Sequence, residues 1–225
     1  MLLNLLSGGD MRGFIISLLL SLPIALLSLS VHETAHGYVA AKLGDPTAKN
    51  LGRLTLNPLK HLDPFGFICM VLCGFGWAKA VPINTRYFKN PRRDMALSAA
   101  AGPISNLLLA IVFAVLLKIY FTFAPTFLTL NNNIATLEYI IFLFLYLGIQ
   151  LNITLAVFNL LPMPPLDGSR ILYVFLPPKQ YFGIMKYERY ISIGIMVLLL
   201  VGVLDPILDF VTGNIMNLIF FVLRI

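Results

Sequence analysis

Long apolar stretches alternate with short polar ones along the chain. Gly13 to Val31 carries no charged side chain, and the apolar character runs on to about Ala41. At a rise of about 1.5 Å per residue, a helix of that length exceeds the roughly 30 Å hydrocarbon layer of a bilayer. The pattern therefore predicts a first membrane helix over 13–41, with Pro23 as a tolerated kink. Further spans are predicted from about Met95 to Tyr120 and Glu138 to Leu161, then near 191–204 and 210–223, where Asp205 and Asp209 mark a turn. Phe65 to Trp77 is apolar too, but it has only 13 residues and three glycines. It is too short to cross, and a re-entrant or interfacial hairpin fits it better. Residues 1–12 read as a short interfacial segment, 121–137 as an external loop, and Arg53-Leu54-Thr55-Leu56 as a short strand. The expected fold is an all-α polytopic membrane protein, with about five transmembrane helices plus a re-entrant or interfacial segment, in one domain over 1–225.

Composition supports this reading. The chain is 59% hydrophobic and 12% charged, where a soluble domain carries about 25% charged residues. That excludes a soluble enzyme with a single anchor. The net charge of +6 points to topology and not to nucleic acid. Lys and Arg concentrate in 42–94 and 177–189, which places both regions in the cytoplasm and the N-terminus outside. The expected location is the inner or plasma membrane of the cell. The first apolar segment is not an ordinary signal peptide, because it carries the candidate site. Cys69 and Cys73 lack the spacing of a zinc or redox pair and read as small buried side chains. Asn152-Ile153-Thr154 matches a glycosylation sequon, but it lies in an apolar helix where modification is implausible.

The chemistry gathers at Val31-His32-Glu33-Thr34-Ala35-His36-Gly37. One helical turn separates His32 from His36, so both imidazoles can grip one Zn²⁺. Glu33 stands beside them, placed to take a proton from a water at the metal. Ionisable groups inside a membrane helix are expensive and point to function. A catalytic zinc normally has three protein ligands. His61 lies in the basic loop and fits a surface or structural position. Asp167 follows the break Pro162-Met163-Pro164-Pro165 and can point back toward the histidines. Taken alone it could also be a turn residue; an unfinished zinc site favours it as the third ligand. Asn159 could donate an amide to the oxyanion, or it could cap or pack. Asn106, four residues after Gly102, either faces the site or bonds to a neighbouring helix.

The sequence resembles the site-2 protease family of intramembrane zinc metalloproteases, in a compact form without a PDZ or CBS domain. The resemblance lies in His32-Glu33-Thr34-Ala35-His36-Gly37 and in Asn159-Leu160-Leu161-Pro162-Met163-Pro164-Pro165-Leu166-Asp167-Gly168. It extends to Leu43-Gly44-Asp45-Pro46-Thr47-Ala48, to Gly52-Arg53-Leu54-Thr55-Leu56-Asn57-Pro58 and to Ala101-Gly102-Pro103-Ile104-Ser105-Asn106. It implies one catalytic Zn²⁺ per chain on His32, His36 and Asp167, with Glu33 as the base. It also implies a substrate-site role for Asn159 and a supporting or substrate-site role for Asn106. The implied substrates are membrane-anchored proteins, in some cases already cut once by another protease. Ser169 stands where many members carry a second glycine, which bears on local backbone flexibility. A transporter would use the same polar intramembrane groups as a pathway, but it gives no reason for Glu33 between metal-spaced histidines. An inactive scaffold would be expected to have lost a ligand or the base, and a zinc hydrolase acting on lipid is the remaining rival.

Overall fold

The computed structural model describes residues 11–73, 76–123 and 132–225. The helices are α1 (Met11–Lys42), α2 (Thr47–Asn50), α3 (Pro64–Cys73), α4 (Pro91–Phe123), α5 (Asn132–Asn159), α6 (Asp167–Leu172), α7 (Pro178–Met185), α8 (Glu188–Leu200) and α9 (Asp205–Leu223). Four of these, α1, α4, α5 and α9, are long and apolar enough to cross a bilayer. The chain is an all-α polytopic membrane protein. The span expected at 191–204 is α8, with 13 residues, or about 20 Å of helix. It stops at a turn where Gly202 takes φ +75°. Asp205 and Asp209 lie at the start of α9, not in a loop.

The bundle is centred on α4, which lies against α5 and α1, with α6 also on its flank. Ile24 of α1, Phe113, Ala114 and Leu117 of α4, and Ile149 and Ile153 of α5 form the buried core. Small residues set the spacing. A Cβ at Gly148 would lie 2.6 Å from the Phe113 ring, so α4 and α5 touch there. Large apolar side chains on the outside, such as Leu19 and Phe221, are exposed, as expected of a surface solvated by lipid. Helix α1 runs on through Pro23.

The segment between α1 and α4 leaves and returns at the same level. Leu62 pairs with Ala78 in an isolated antiparallel bridge, and Lys79 N donates to His61 O at 2.8 Å. Between these points, α3 goes out and the chain comes back against it. A Cβ on Gly66 would sit 2.1 Å from Trp77 O, and one on Gly76 would sit 2.1 Å from Gly66 O. Only glycines permit this closure, and the excursion is the expected hairpin and not a crossing.

Three local expectations change. Arg53–Leu56 is not a strand; among the described residues there are none. Arg53 is buried instead and donates to Lys79 O at 2.6 Å. Helix α4 begins four residues before Met95 because Asn90 caps it: Arg93 N donates to Asn90 Oδ1, and Asp94 Oδ2 accepts from Asn90 N. The loop expected at 121–137 is shorter, since α4 reaches Phe123 and α5 begins at Asn132. The interfacial segment expected at 1–12 lies almost wholly outside the described residues. Cys69 is half-buried and unbridged, and the Cys73 side chain lies outside the described residues.

Candidate metal centre

Helix α1 brings His32 and His36 onto one side, and α4 runs antiparallel beside it. The facing side of α4 carries Ser98, Gly102 and Asn106 at four-residue spacing, which makes one stripe. His36 Nδ1 donates to Ser98 O at 2.7 Å. His32 Nδ1 donates to Asn106 Oδ1 at 2.5 Å. Gly102 lies between these contacts. A Cβ there would come within 2.5 Å of His36 Nε2 and 2.6 Å of His32 Cε1. The glycine is thus the gap into which both rings fit.

The orientation of Asn106 is fixed from behind. Its Nδ2 donates to Asn152 Oδ1 at 2.9 Å and approaches Ser28 O at 3.5 Å. Asn152 Nδ2 in turn donates to Gly148 O at 2.8 Å. The chain Gly148–Asn152–Asn106–His32 crosses three helices without leaving a member unpaired. With both Nδ1 atoms acting as donors, the neutral rings turn their Nε2 lone pairs inward.

Asp167 meets those lone pairs from the other side. The α5–α6 break folds tightly, with Leu166 N donating to Met163 O at 3.0 Å. A Cβ on Gly168 would lie 2.3 Å from Leu160 O and Leu161 O, so this position also requires glycine. Ser169 is accommodated: it is buried, and its Oγ donates to Leu166 O at 2.8 Å. Asp167 Oδ2 comes 3.1 Å from His32 Nε2 and 3.1 Å from His36 Nε2, and the two Nε2 atoms are 3.0 Å apart.

The fit to a metal rests on these three atoms. All three residues are buried, and each offers one ligand atom to a common point. With the Nδ1 protons committed outward, neither Nε2 can donate to the carboxylate. Asp167 Oδ2 accordingly has no hydrogen-bond donor among the described residues. Three mutually close, buried lone pairs are costly unless a cation binds them together. Zinc–nitrogen and zinc–oxygen bonds of about 2.0–2.1 Å in a tetrahedron place ligand atoms about 3.3 Å apart, close to the spacing seen. Two imidazoles and one carboxylate also leave a fourth position open.

Glu33 is buried beside the trio, and its Oε2 accepts from Val81 N at 2.7 Å. The Val81 segment is itself held by the Arg53 guanidinium and by the pairing of Lys79 with His61. Gly37 lets this layer approach α1, since a Cβ there would lie 2.7 Å from Leu54 Cδ2. Thr34 Oγ1 donates to Thr55 O at 2.7 Å from the same helix.

The structure thus brings together His32, His36 and Asp167, with Glu33 alongside and Asn106 behind His32. The other sequence candidates make no hydrogen bond to the trio in the described residues. His61 is buried and donates through Nε2 to Thr55 O at 2.8 Å. Asn159 ends α5, and its Nδ2 donates to Leu155 O at 2.9 Å within its own helix. Asn106 is fully buried, with its Oδ1 on the His32 ring and its Nδ2 on Asn152. Asn152, the Ser98 carbonyl and the Val81 N–H were not singled out from sequence. In the sequence Asn152 matches a sequon, and a polar residue in an apolar helix is itself a signal.

Comparison with known proteins follows the same line. The model of peptidase family M50 matches residues 19–203. YwhC of Bacillus subtilis, named as a candidate zinc metalloprotease, is 46% identical over 173 residues, which cover 77% of this chain and 76% of that protein. Rip2 of Mycolicibacterium smegmatis, named in the same way, is 30% identical over 186 residues, covering 80% of this chain and 66% of that protein. MJ0392 of Methanocaldococcus jannaschii, named as a zinc metalloprotease, is 28% identical over 166 residues, covering 74% of this chain and 36% of that protein. No solved structure matches the chain.

Proposed function

From the premise that the chain belongs to peptidase family M50 and is a zinc metalloprotease of the site-2 type, we propose that it cuts peptide bonds in or near transmembrane segments of membrane-anchored proteins. The observation that carries this reading is the buried trio of His32 Nε2, His36 Nε2 and Asp167 Oδ2, mutually 3.0–3.1 Å apart with Glu33 beside it. On this reading the three side chains hold one Zn²⁺. Bound there, the ion supplies a Lewis acid that polarises the scissile carbonyl and makes a neighbouring water more acidic.

The chain's own residues supply the rest. Glu33 takes the proton of the attacking water and returns one to the leaving amine. Val81 N–H holds Oε2 and so leaves Oε1 for the proton. Asn106 and the Ser98 carbonyl keep both imidazoles in the tautomer that presents Nε2. We assign Asn159, at the end of α5, to orienting substrate or stabilising the oxyanion, a role that requires its amide to leave Leu155 O. A peptide bond in a membrane helix is dry and already hydrogen-bonded, so the substrate must unwind to be cut. The α5–α6 break provides irregular backbone at that depth.

The test is proteomics on membranes that contain either the native protein or its Glu33→Gln form. Membrane-anchored proteins should accumulate uncut only with the variant. Identical membrane proteomes would argue against an intramembrane substrate.

A further inference from the structure

We propose that His61 and Asp63 form a water-holding site on the Glu33 face of α1, one helical turn from the base. The proposal rests on the reading of Glu33 as the group that uses water. His61 is only 2% exposed. Its Nε2–H is committed to Thr55 O, so in the neutral ring Nδ1 is an acceptor. That Nδ1 has no partner among the described residues. The His61 side chain borders a cavity of about 20 Å³ lined also by Leu26, Leu29, Ser30, Asp63 and Trp77. A single water needs about 10–15 Å³ by that measure.

The polar groups match one water. Asp63 Oδ1 already accepts from Gly66 N at 2.8 Å, which leaves lone pairs on its second oxygen. A water molecule can donate one hydrogen to His61 Nδ1 and the other to Asp63. Ser30 Oγ gives its hydrogen to Leu26 O at 2.6 Å and can act toward the cavity only as an acceptor, and the remaining wall is mostly apolar. The site therefore holds water without offering a competing ligand.

Its position is what gives it a use. Leu26, Leu29, Ser30 and Glu33 stand at i, i+3, i+4 and i+7, on one face of α1. The cavity wall is thus the Glu33 face, about 5.4 Å along the axis from the base. Thr55 O accepts from both Thr34 Oγ1 and His61 Nε2, which ties the site to the catalytic helix. Each hydrolysis consumes one water in an apolar surrounding, and a held water one turn away shortens its resupply.

The experiment is water-edited solid-state NMR on the zinc-loaded protein in lipid bilayers, with labelled histidine and phenylalanine rings. Magnetisation from water should reach the His61 ring severalfold faster than the Phe113 ring, although both residues are buried. Ala78→Leu, which fills the cavity wall, should bring His61 down to the Phe113 rate. Equally slow transfer to both rings in the parent would overturn the site. Because this readout involves no proteolysis, it stands apart from the role of Glu33. Turnover gives the second arm. His61→Gln keeps a donor for Thr55 O but loses the Nδ1 acceptor, whereas His61→Asn keeps an acceptor near Nδ1 and loses the Thr55 bond. The proposal expects His61→Gln to lower kcat severalfold at unchanged KM and zinc content, and His61→Asn to recover most of it. A purely structural His61 gives the reverse order, and that result would overturn the supply role.

Discussion

The two histidines and Asp167 converge on one point but are held in opposite ways. Each imidazole has a second partner behind it, and the His32 partner is braced through Asn152 to Gly148. Asp167 Oδ2 has no donor among the described residues. The break that carries Asp167 is shaped by backbone turns and by the fit of Gly168, not by a polar anchor on the carboxylate. On the proposed zinc reading, the α1–α4 half of the centre has its polar partners without a cation, whereas the α6 half would gain its main polar partner from one. Metal binding and the order of the α5–α6 break should be coupled in a way that metal binding and the α1–α4 contact are not.

The largest expected effect is on zinc retention. Asp167→Ala removes a ligand and should weaken zinc binding by more than the roughly 10–100-fold typical of losing an outer partner. His61→Ala should leave zinc content at the parent level. Metal analysis of the two purified variants checks this, and equal retention would remove Asp167 from the ligand set. Chelation of the parent comes next. Hydrogen exchange should rise in 160–172 and stay low in 28–36 and 98–106, because only the first segment relies on the cation. Uniform loosening of both would break the comparison.

Asn152→Ala probes the braced half. It frees the Asn106 amide to turn and should cost zinc affinity about 10–100-fold, without touching a ligand. A competition titration with a chelator of known affinity measures it. Asn159→Ala should have the smallest effect. Zinc should be retained, and kcat should fall severalfold with little change in KM, as expected for a contact made mainly in the transition state. Steady-state cleavage of a membrane-anchored substrate distinguishes this from a loss of binding.

Much of this architecture is legible in the sequence because lipid imposes simple rules. Uncharged runs mark α1, α4, α5 and α9, and the short glycine-bearing run at 65–77 marks the hairpin. Histidine spacing and the proline break mark the residues that meet in the buried trio. What sequence hides is contact between elements. Gly102 is one small residue among several until two imidazoles are seen against it. Ser98 and Val81 act through main-chain atoms, which no side-chain pattern reveals. Asn152 belongs to the site only because α5 sets it beside Asn106. The end of α8 at residue 200 depends on a turn at Gly202 that hydropathy does not register.

The central claim is that this membrane-embedded centre hydrolyses peptide bonds with Glu33 as its base. The most direct measurement is cleavage of a single-span substrate in lipid vesicles by the parent and by Glu33→Gln, with zinc measured on the same samples. Glutamine keeps the size of the side chain and can still accept from Val81 N–H, but it cannot take the proton from water. The account predicts parent-like zinc content and a rate lower by about 10²–10⁴-fold, the usual contribution of a positioned acid–base group. Parent-like turnover by zinc-loaded Glu33→Gln would contradict it.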